Sequence, residues 1–156
     1  MSYEDLKDKV VIVTGSSAGI GEAIAIQFSK NGSKLVITGR NEENLNKVAS
    51  VCEQVSPTQY KPLIHICDLN KENEAPELVK KAVEHYGSID VLVNNAGCVW
   101  PSDISDDDFM EKFDYVFNVN TRAPLLLTKL CLPKLIEKKG CIVNICSITS
   151  TRHVRR

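Results

Sequence analysis

A glycine-rich segment near the start of the chain joins a short apolar run to a helical pattern, and few folds accept that order. Residues 9–14 read KVVIVT, and the segment TGSSAGIG continues with Gly15, Gly19 and Gly21. Apolar side chains then recur at helical spacing over residues 20–28. A β-branched run, a glycine turn and a helix predict the first strand–turn–helix unit of a parallel sheet.

Each glycine of this turn has a predicted task. Gly15 permits the tight turn, Gly19 lets the backbone approach a pyrophosphate, and Gly21 lets the helix pack against the sheet. The helix N-terminus offers unpaired N–H groups and a partial positive charge to phosphates. The segment therefore predicts a dinucleotide site, and a glycine turn without a ligand is the alternative.

The strand-and-helix alternation continues along the chain. Further apolar strands are predicted at 34–39, 62–68, 89–94 and 141–146, with helices at 41–55, 76–86, 109–117 and 124–138 between them. Strands that are apolar almost throughout need cover on both faces, and right-handed crossovers then give a parallel sheet. We predict an α/β fold of the Rossmann type, a doubly wound parallel sheet that ends after its fifth strand, in one domain over residues 1–150.

Composition excludes several classes of partner. Hydrophobic residues make up 43% of the chain and charged residues 25%, with a formal net charge of −1, which is typical of a globular protein and favours no nucleic acid. No apolar stretch reaches the ~18 residues of a membrane span. The six cysteines form no C-x-x-C pair, and the N-terminus has no apolar signal segment, so a cytoplasmic location and no metal site are expected.

Five motifs in order resemble the short-chain dehydrogenase/reductase family: TGSSAGIG at 14–21, CDL at 67–69, NNAG at 94–97, NVNT at 118–121 and IVNICS at 142–147. The resemblance implies a nicotinamide dinucleotide cofactor, with contacts from Thr14, Gly15, Ser17, Gly19, Ile20, Gly21, Asp68, Leu69, Asn94, Ala96 and Gly97. It also implies that Asn120 and Ser147 are catalytic, with Cys146 in the place of a non-catalytic serine.

The end of the second strand, ITGRN, bears on the choice of dinucleotide. An acidic residue there would bond the ribose 2′-hydroxyl, whereas a basic residue would pair with a 2′-phosphate. Gly39 carries no carboxylate to repel the phosphate, and Arg40 supplies a guanidinium that can make two charge-assisted bonds to it. We therefore predict NADP(H) rather than NAD(H); a solvated Arg40 neutralised by Glu42 and Glu43 is the alternative.

Hydride transfer to a carbonyl also needs a proton donor near the substrate oxygen. The family supplies it as a Tyr-x-x-x-Lys pair after the catalytic serine, and no tyrosine follows Ser147 in this sequence. Only Tyr3 has a lysine four places on, Lys7, and it precedes the first strand, far from the carboxyl ends of the strands where chemistry is expected. The catalytic tyrosine and lysine are thus absent from these 156 residues.

Two functional hypotheses follow. In the first, the chain is a truncated form, inactive alone, of an NADP(H)-dependent oxidoreductase acting on a small carbonyl or alcohol, similar to 3-oxoacyl reductases, whose full-length form is a homodimer or homotetramer. In the second, it is a non-catalytic short isoform that binds dinucleotide or pairs with a full-length subunit. Its last residues, 151–156, form an atypical basic tail, for which an altered reading frame, a basic contact or terminal disorder are the alternatives.

Two surface features are also expected. The apolar residues of 125–136 and of the strand 141–146 should be partly uncovered, because the helix that covers them in the family is not in the sequence. Trp100 should border the cleft as an apolar wall, or serve instead as an interface or core aromatic.

Overall fold

The computed structural model describes residues 4–147, and this part of the chain forms one five-stranded sheet with five α-helices. The strands are β1 (Val10–Thr14), β2 (Lys34–Gly39), β3 (Leu63–Ile66), β4 (Val91–Asn94) and β5 (Cys141–Asn144). The helices are α1 (Gly19–Lys30), α2 (Glu42–Val55), α3 (Glu74–Tyr86), α4 (Phe109–Phe117) and α5 (Ala123–Lys138). A 3-10 turn at Glu4–Leu6 precedes β1, and a π-helical segment, Asn118–Arg122, joins α4 to α5.

The sheet is parallel throughout, which confirms the predicted fold class. Its strand order is β3-β2-β1-β4-β5, and Ile12 of β1 lies opposite Val36 of β2 on one side and Leu92 of β4 on the other. The chain therefore winds outward from β1 in one direction and then in the other. Such a reversal leaves a crevice beyond the carboxyl ends of β1 and β4, where open α/β sheets bind ligands.

Both faces of the sheet are covered, as strands without polar alternation require. Val11 and Val13 pack into a core cluster with residues of α1 and α2, whereas Ile12 packs into a second cluster with residues of α3 and α5. All five residues of β1 are buried. Fully burying a side chain of this size contributes ~1.5–3 kcal/mol, so β1 is a rigid support for the turn that follows it.

Helix α3 begins two residues before the prediction. Its first residue is Glu74, and Pro76 lies inside the first turn. Proline is tolerated there because the first N–H groups of a helix have no intrahelical partner to lose. The helix ends as predicted at Gly87, which adopts φ 75°.

Helix α5 ends at Lys138, as predicted, and a residue other than glycine follows it in the left-handed conformation. The left-handed residue that ends this helix is Lys139, with φ 51°, rather than Gly140. Gly140 is required for a different reason, because a Cβ there would lie 2.1 Å from the backbone oxygen of Asp90. Glycine lets the chain leave α5 in contact with the start of β4.

The face of α5 and the edge strand β5 are partly uncovered, which confirms that expectation. Leu125 and Ile136 are each 69% exposed, and Val143 is 40% exposed. β5 pairs only with β4 among the described residues. Within residues 4–147, no helix has the length and apolar character to cross a membrane. The basic tail and Tyr3 lie outside the described residues.

Candidate functional site

A cleft of about 300 Å³ opens at the predicted place, beyond the carboxyl ends of β1, β2 and β4. Seven of the predicted cofactor residues line it: Gly15, Ser17, Arg40, Asp68, Leu69, Ala96 and Gly97. It is also lined by Ala18, Thr38, Gly39, Cys67, Asn95, Cys98, Tyr115 and Val119. The glycine turn, the end of β2, the CDL segment and the NNAG segment thus meet around one cavity.

Thr14 does not line this cleft but holds two of its segments together through hydrogen bonds. Its side chain is buried at the end of β1, where the residue is 1% exposed, and its hydroxyl donates to the carbonyl of Val93 at 3.2 Å. The same oxygen accepts the backbone N–H groups of Asn95 and Ala96, each at 3.0 Å. One hydroxyl therefore ties β1 to the NNAG segment, which is the structural basis for the threonine ahead of the glycine turn.

Asn95 makes the reciprocal connection. Its side-chain amide donates to the carbonyl of Thr14 at 2.9 Å and to the carbonyl of Gly15 at 3.1 Å. A Cβ on Gly21 would lie 2.2 Å from the oxygen of Gly15 and 2.5 Å from that amide nitrogen. A side chain at position 21 would therefore clash with both the turn and the Asn95 amide. This restricts the position to glycine more strongly than the predicted helix–sheet packing does.

The other two glycines of the turn have positive φ. Gly15 adopts φ +64°, and a Cβ there would lie 2.8 Å from the Cα of Ala96. Gly19 adopts φ +63°, and a Cβ there would meet no atom within 4 Å. The backbone at Gly15 is thus closely packed, whereas the space beside Gly19 is open, as the approach of a phosphate to the backbone requires.

Helix α1 begins at the cleft without a side-chain cap. Ala18 occupies the N-cap position, and it and Ser17 line the cavity. The Ala18 carbonyl accepts the N–H of Glu22, but an alanine side chain cannot accept the earlier N–H groups of the helix, so these donors need another partner. With the positive end of the helix dipole, they make an anion site that fits a dinucleotide pyrophosphate.

Arg40 and Tyr115 approach each other across the outer part of the cleft. The guanidinium donates to the Tyr115 hydroxyl at 2.9 Å, and Trp100 packs edge-on against the Tyr115 ring with centroids 5.2 Å apart. Gly39 faces Ser17, because a Cβ on Gly39 would lie 3.1 Å from the Ser17 hydroxyl oxygen. The sequence did not predict Tyr115 as a site residue. It lies four residues before Val119 on the same helical face, and both residues line the cleft.

The CDL segment lines the cleft beside these residues. The Asp68 carboxylate accepts the N–H of Asn70 at 3.1 Å, so this aspartate also shapes the turn after β3. Leu69 packs partly against the core on the α3 and α5 side. Burial raises the pKa of the Cys67 thiol to about 12, and this thiol is therefore protonated at neutral pH.

Besides Thr14, Gly19 and Gly21, two further predicted contact residues are not among the residues that line the cleft. Asn94 is 5% exposed, and its amide donates to the Asn144 side chain at 2.9 Å, which joins β4 to β5. Ile20 is 64% exposed on the first turn of α1. The structure therefore places Asn94 as a strand link and Ile20 as a surface side chain near the site.

Asn120 holds the far wall of the cleft. Its side-chain oxygen accepts the N–H of Cys98 and its amide donates to the carbonyl of Cys98, both at 2.8 Å. The backbone around it is π-helical rather than broken. Because Pro124 has no N–H, the Asn120 carbonyl cannot accept the hydrogen bond that the residue four places on donates in an α-helix.

Ser147 lies three residues beyond β5 and is exposed. It is not among the residues that line the cavity.

The sequence of this chain matches the family described as short chain dehydrogenase over residues 9–156. The chain belongs to the short-chain dehydrogenase family. An uncharacterized oxidoreductase of Staphylococcus aureus is 36% identical over 149 residues, covering 92% of this chain and 60% of the relative. The chain therefore spans about 60% of the length of the curated relatives it matches.

Solved short-chain dehydrogenase structures share this architecture. An alcohol dehydrogenase of Thermococcus sibiricus, complexed with 5-hydroxy-NADP, superposes with a TM-score of 0.86 at 30% identity, over 95% of this chain and 62% of that one. A short-chain dehydrogenase/reductase of unknown function from Caenorhabditis elegans, solved with cofactor, gives 0.85 at 32% identity, over 96% and 56%. The predicted oxidoreductase family is confirmed by these comparisons.

Proposed function

We propose that the chain forms the dinucleotide-binding part of an NADP(H)-dependent oxidoreductase that acts on a small carbonyl or alcohol. The observation that carries this proposal is the cleft itself, with the uncapped N-terminus of α1 at one side and the Arg40 guanidinium at the other. A cationic group and a helix N-terminus facing one cavity favour a ligand with two separate phosphate groups.

The cofactor supplies or accepts the hydride, and the chain's own residues bind and orient it. First-turn N–H groups of α1 hold the pyrophosphate, while Arg40 pairs with the 2′-phosphate of the ribose. Asp68 and Leu69 would contact the adenine end: the family resemblance of the CDL segment implies this contact, and both residues line the cleft. Gly15 and Ala96 line the same cleft and are closely packed against each other.

Ser147 and Asn120 are the catalytic residues we assign in this chain. The Ser147 hydroxyl donates a hydrogen bond to the substrate oxygen, which stabilises charge that develops there. The Asn120 side chain is occupied by Cys98, so its backbone carbonyl is the group that holds a water of the proton relay. These assignments use the family resemblance together with the π-helical backbone at Asn120.

The proton donor is the missing part of this chemistry. We propose that turnover requires a tyrosine and a lysine that the 156 residues do not contain after Ser147, and that this chain alone binds NADP(H) without consuming it. A 3-oxoacyl thioester is the substrate class we favour for the whole protein, by resemblance.

We further propose that the full-length protein is a cytoplasmic homodimer or homotetramer. The six cysteines of the present chain are all free, which is consistent with a reducing compartment. The exposed apolar side chains of α5 and β5 support burial against another subunit or against further chain. The same surface supports the alternative hypothesis, a non-catalytic chain that pairs with a full-length subunit, and co-purification with that subunit would test it.

Replacement of Arg40 tests the choice of cofactor. We expect Arg40→Leu to weaken NADPH binding by about tenfold, which is ~1.4 kcal/mol and near the low end for a charge-assisted bond at an exposed site. NADH binding should change little, because NADH has no 2′-phosphate.

Arg40→Lys is the matched control. It keeps the charge but loses the bidentate geometry, so it should retain part of the preference for NADPH. Equal losses for NADPH and NADH in a calorimetric titration would contradict the assignment of Arg40 to the 2′-phosphate.

A further inference from the structure

A cluster of three potential metal ligands lies at the end of β3, where Cys67 also lines the cleft. A ring nitrogen of His65, the thiol of Cys67 and a carboxylate oxygen of Glu74 all lie within 4.8 Å of one another. Among the described residues this is the group of histidine, cysteine and acidic side chains close enough to share one ion. We expected no metal site from the sequence, because these three residues form no recognisable ligand spacing: they come from a strand end and from the helix that follows.

The fold explains why these residues meet. His65 lies in β3 and Cys67 just after it, so two-residue spacing places both side chains on one face of the sheet. Cys67 continues the ladder, since its N–H donates to the carbonyl of Gly39 at 2.9 Å. Helix α3 covers this face, and Glu74 is its first residue.

His65 has an unmet bonding requirement in this cluster. The residue is 6% exposed, and its Nε2 atom is buried without a hydrogen-bond partner in the described part of the chain. Its Nδ1 atom lies 3.4 Å from the ammonium of Lys81, an exposed residue of α3. A buried polar atom without a hydrogen-bond partner destabilises the fold, so an imidazole in this place favours a partner that the described part of the chain does not supply.

We propose that His65, Cys67 and Glu74 bind a zinc-class divalent cation, with the fourth coordination position open to water. Sulfur, nitrogen and oxygen ligands in a compact group suit Zn²⁺, which tolerates all three. One thiolate and one carboxylate balance the two charges of the ion, and a neutral imidazole completes the set. The thiol proton leaves to solvent when the Zn–S bond forms.

The site has a defined relation to the cleft. Cys67 lines the cavity and directly precedes Asp68 and Leu69, and Glu74 begins the next helix. An ion bound by Cys67 and Glu74 would connect the first and last residues of the segment 67–74. The ion would therefore fix the turn that carries the adenine contacts, without itself taking part in hydride transfer.

Zinc titration of the purified chain tests the proposal directly. The exposed thiols are first removed as Cys141→Ser and Cys146→Ser, because exposed cysteines bind zinc without a built site. Competition with a chromophoric chelator should then show one Zn²⁺ per chain. Co²⁺ in place of Zn²⁺ should give the near-ultraviolet absorption of a cobalt–thiolate bond.

Ligand variants in that double-serine background decide the assignment. We expect His65→Gln and Cys67→Ser each to weaken zinc binding by at least tenfold, with loss of the cobalt–thiolate band in Cys67→Ser. Cys52→Ser, which removes a buried thiol of α2 on the face of the sheet opposite α3, should leave zinc binding unchanged.

Two substitutions on α3 distinguish the loss of an ion ligand from a general loss of folding, because they should change zinc affinity in opposite directions. Glu74→Gln, at a half-buried helix start, should weaken zinc binding, whereas Lys81→Gln should tighten it several-fold because it removes a positive charge beside His65. Absence of stoichiometric binding, or binding unaffected by all the ligand variants, would overturn the proposal. So would a Lys81→Gln variant with weaker binding.

Discussion

Replacement of Thr14 by valine removes one hydroxyl and keeps the shape of the side chain. That hydroxyl takes part in three hydrogen bonds, to Val93, Asn95 and Ala96, and the residue is 1% exposed. Each bond contributes about 1 kcal/mol, and the isosteric valine leaves all three backbone partners unsatisfied, so Thr14→Val should cost about 3 kcal/mol. For a chain of this size the melting temperature should fall by roughly 6–12 °C.

Thermal unfolding followed by circular dichroism measures this loss, and Thr14→Ser is the matched control. Serine keeps the hydroxyl and loses one methyl group, so we expect a loss of about 1 kcal/mol or less. NADPH binding should weaken in Thr14→Val and persist in Thr14→Ser, because the valine releases the NNAG segment from β1. A Thr14→Val protein that melts within about 2 °C of the unmodified chain would refute the role of this hydroxyl.

Two further substitutions test the packing of the turn and of the core. Gly21→Ala should cost about 1–3 kcal/mol in urea unfolding and weaken NADPH binding, because the new Cβ would press on Gly15 and Asn95. Gly19→Ala, whose Cβ meets no atom, should cost only the ~1–2 kcal/mol of a positive φ; a larger stability loss there than in Gly21→Ala would contradict the contact argument. Burial raises the pKa of the Cys131 thiol from 9.0 to about 12, so this thiol ionises first in the unfolded chain. Its stabilising contribution is complete below pH 9.0 and falls by ~1.4 kcal/mol per pH unit above it. Cys131→Ala should therefore flatten the alkaline loss of stability, and an unchanged slope would contradict this assignment.

The sheet and most helices could be predicted because their signals are local. Apolar β-branched runs mark the buried strands, and Gly87 ends α3 as its conformational freedom suggests. The glycine turn was also readable, since the tasks of Gly15 and Gly19 depend on backbone shape. The need for glycine at position 140 has no such local signal, because the contact of Gly140 with Asp90 is tertiary and has no counterpart in neighbouring residues.

The finer geometry of the site depends on contacts between distant segments. Thr14 and Asn95 are 81 residues apart in sequence, and only the parallel pairing of β1 with β4 brings them together. Tyr115 reaches Arg40 because α4 crosses the outer part of the cleft. Asn94, predicted as a cofactor contact, has its amide turned toward β5, since alternation along a strand places neighbouring asparagines on different sides.

A calorimetric titration of the unmodified chain with NADPH and with NADH tests the central claim most directly. We predict one NADPH per chain, bound at least about tenfold more tightly than NADH, which corresponds to ~1.4 kcal/mol from the 2′-phosphate. The absence of saturable NADPH binding, or tighter binding of NADH, would contradict the account.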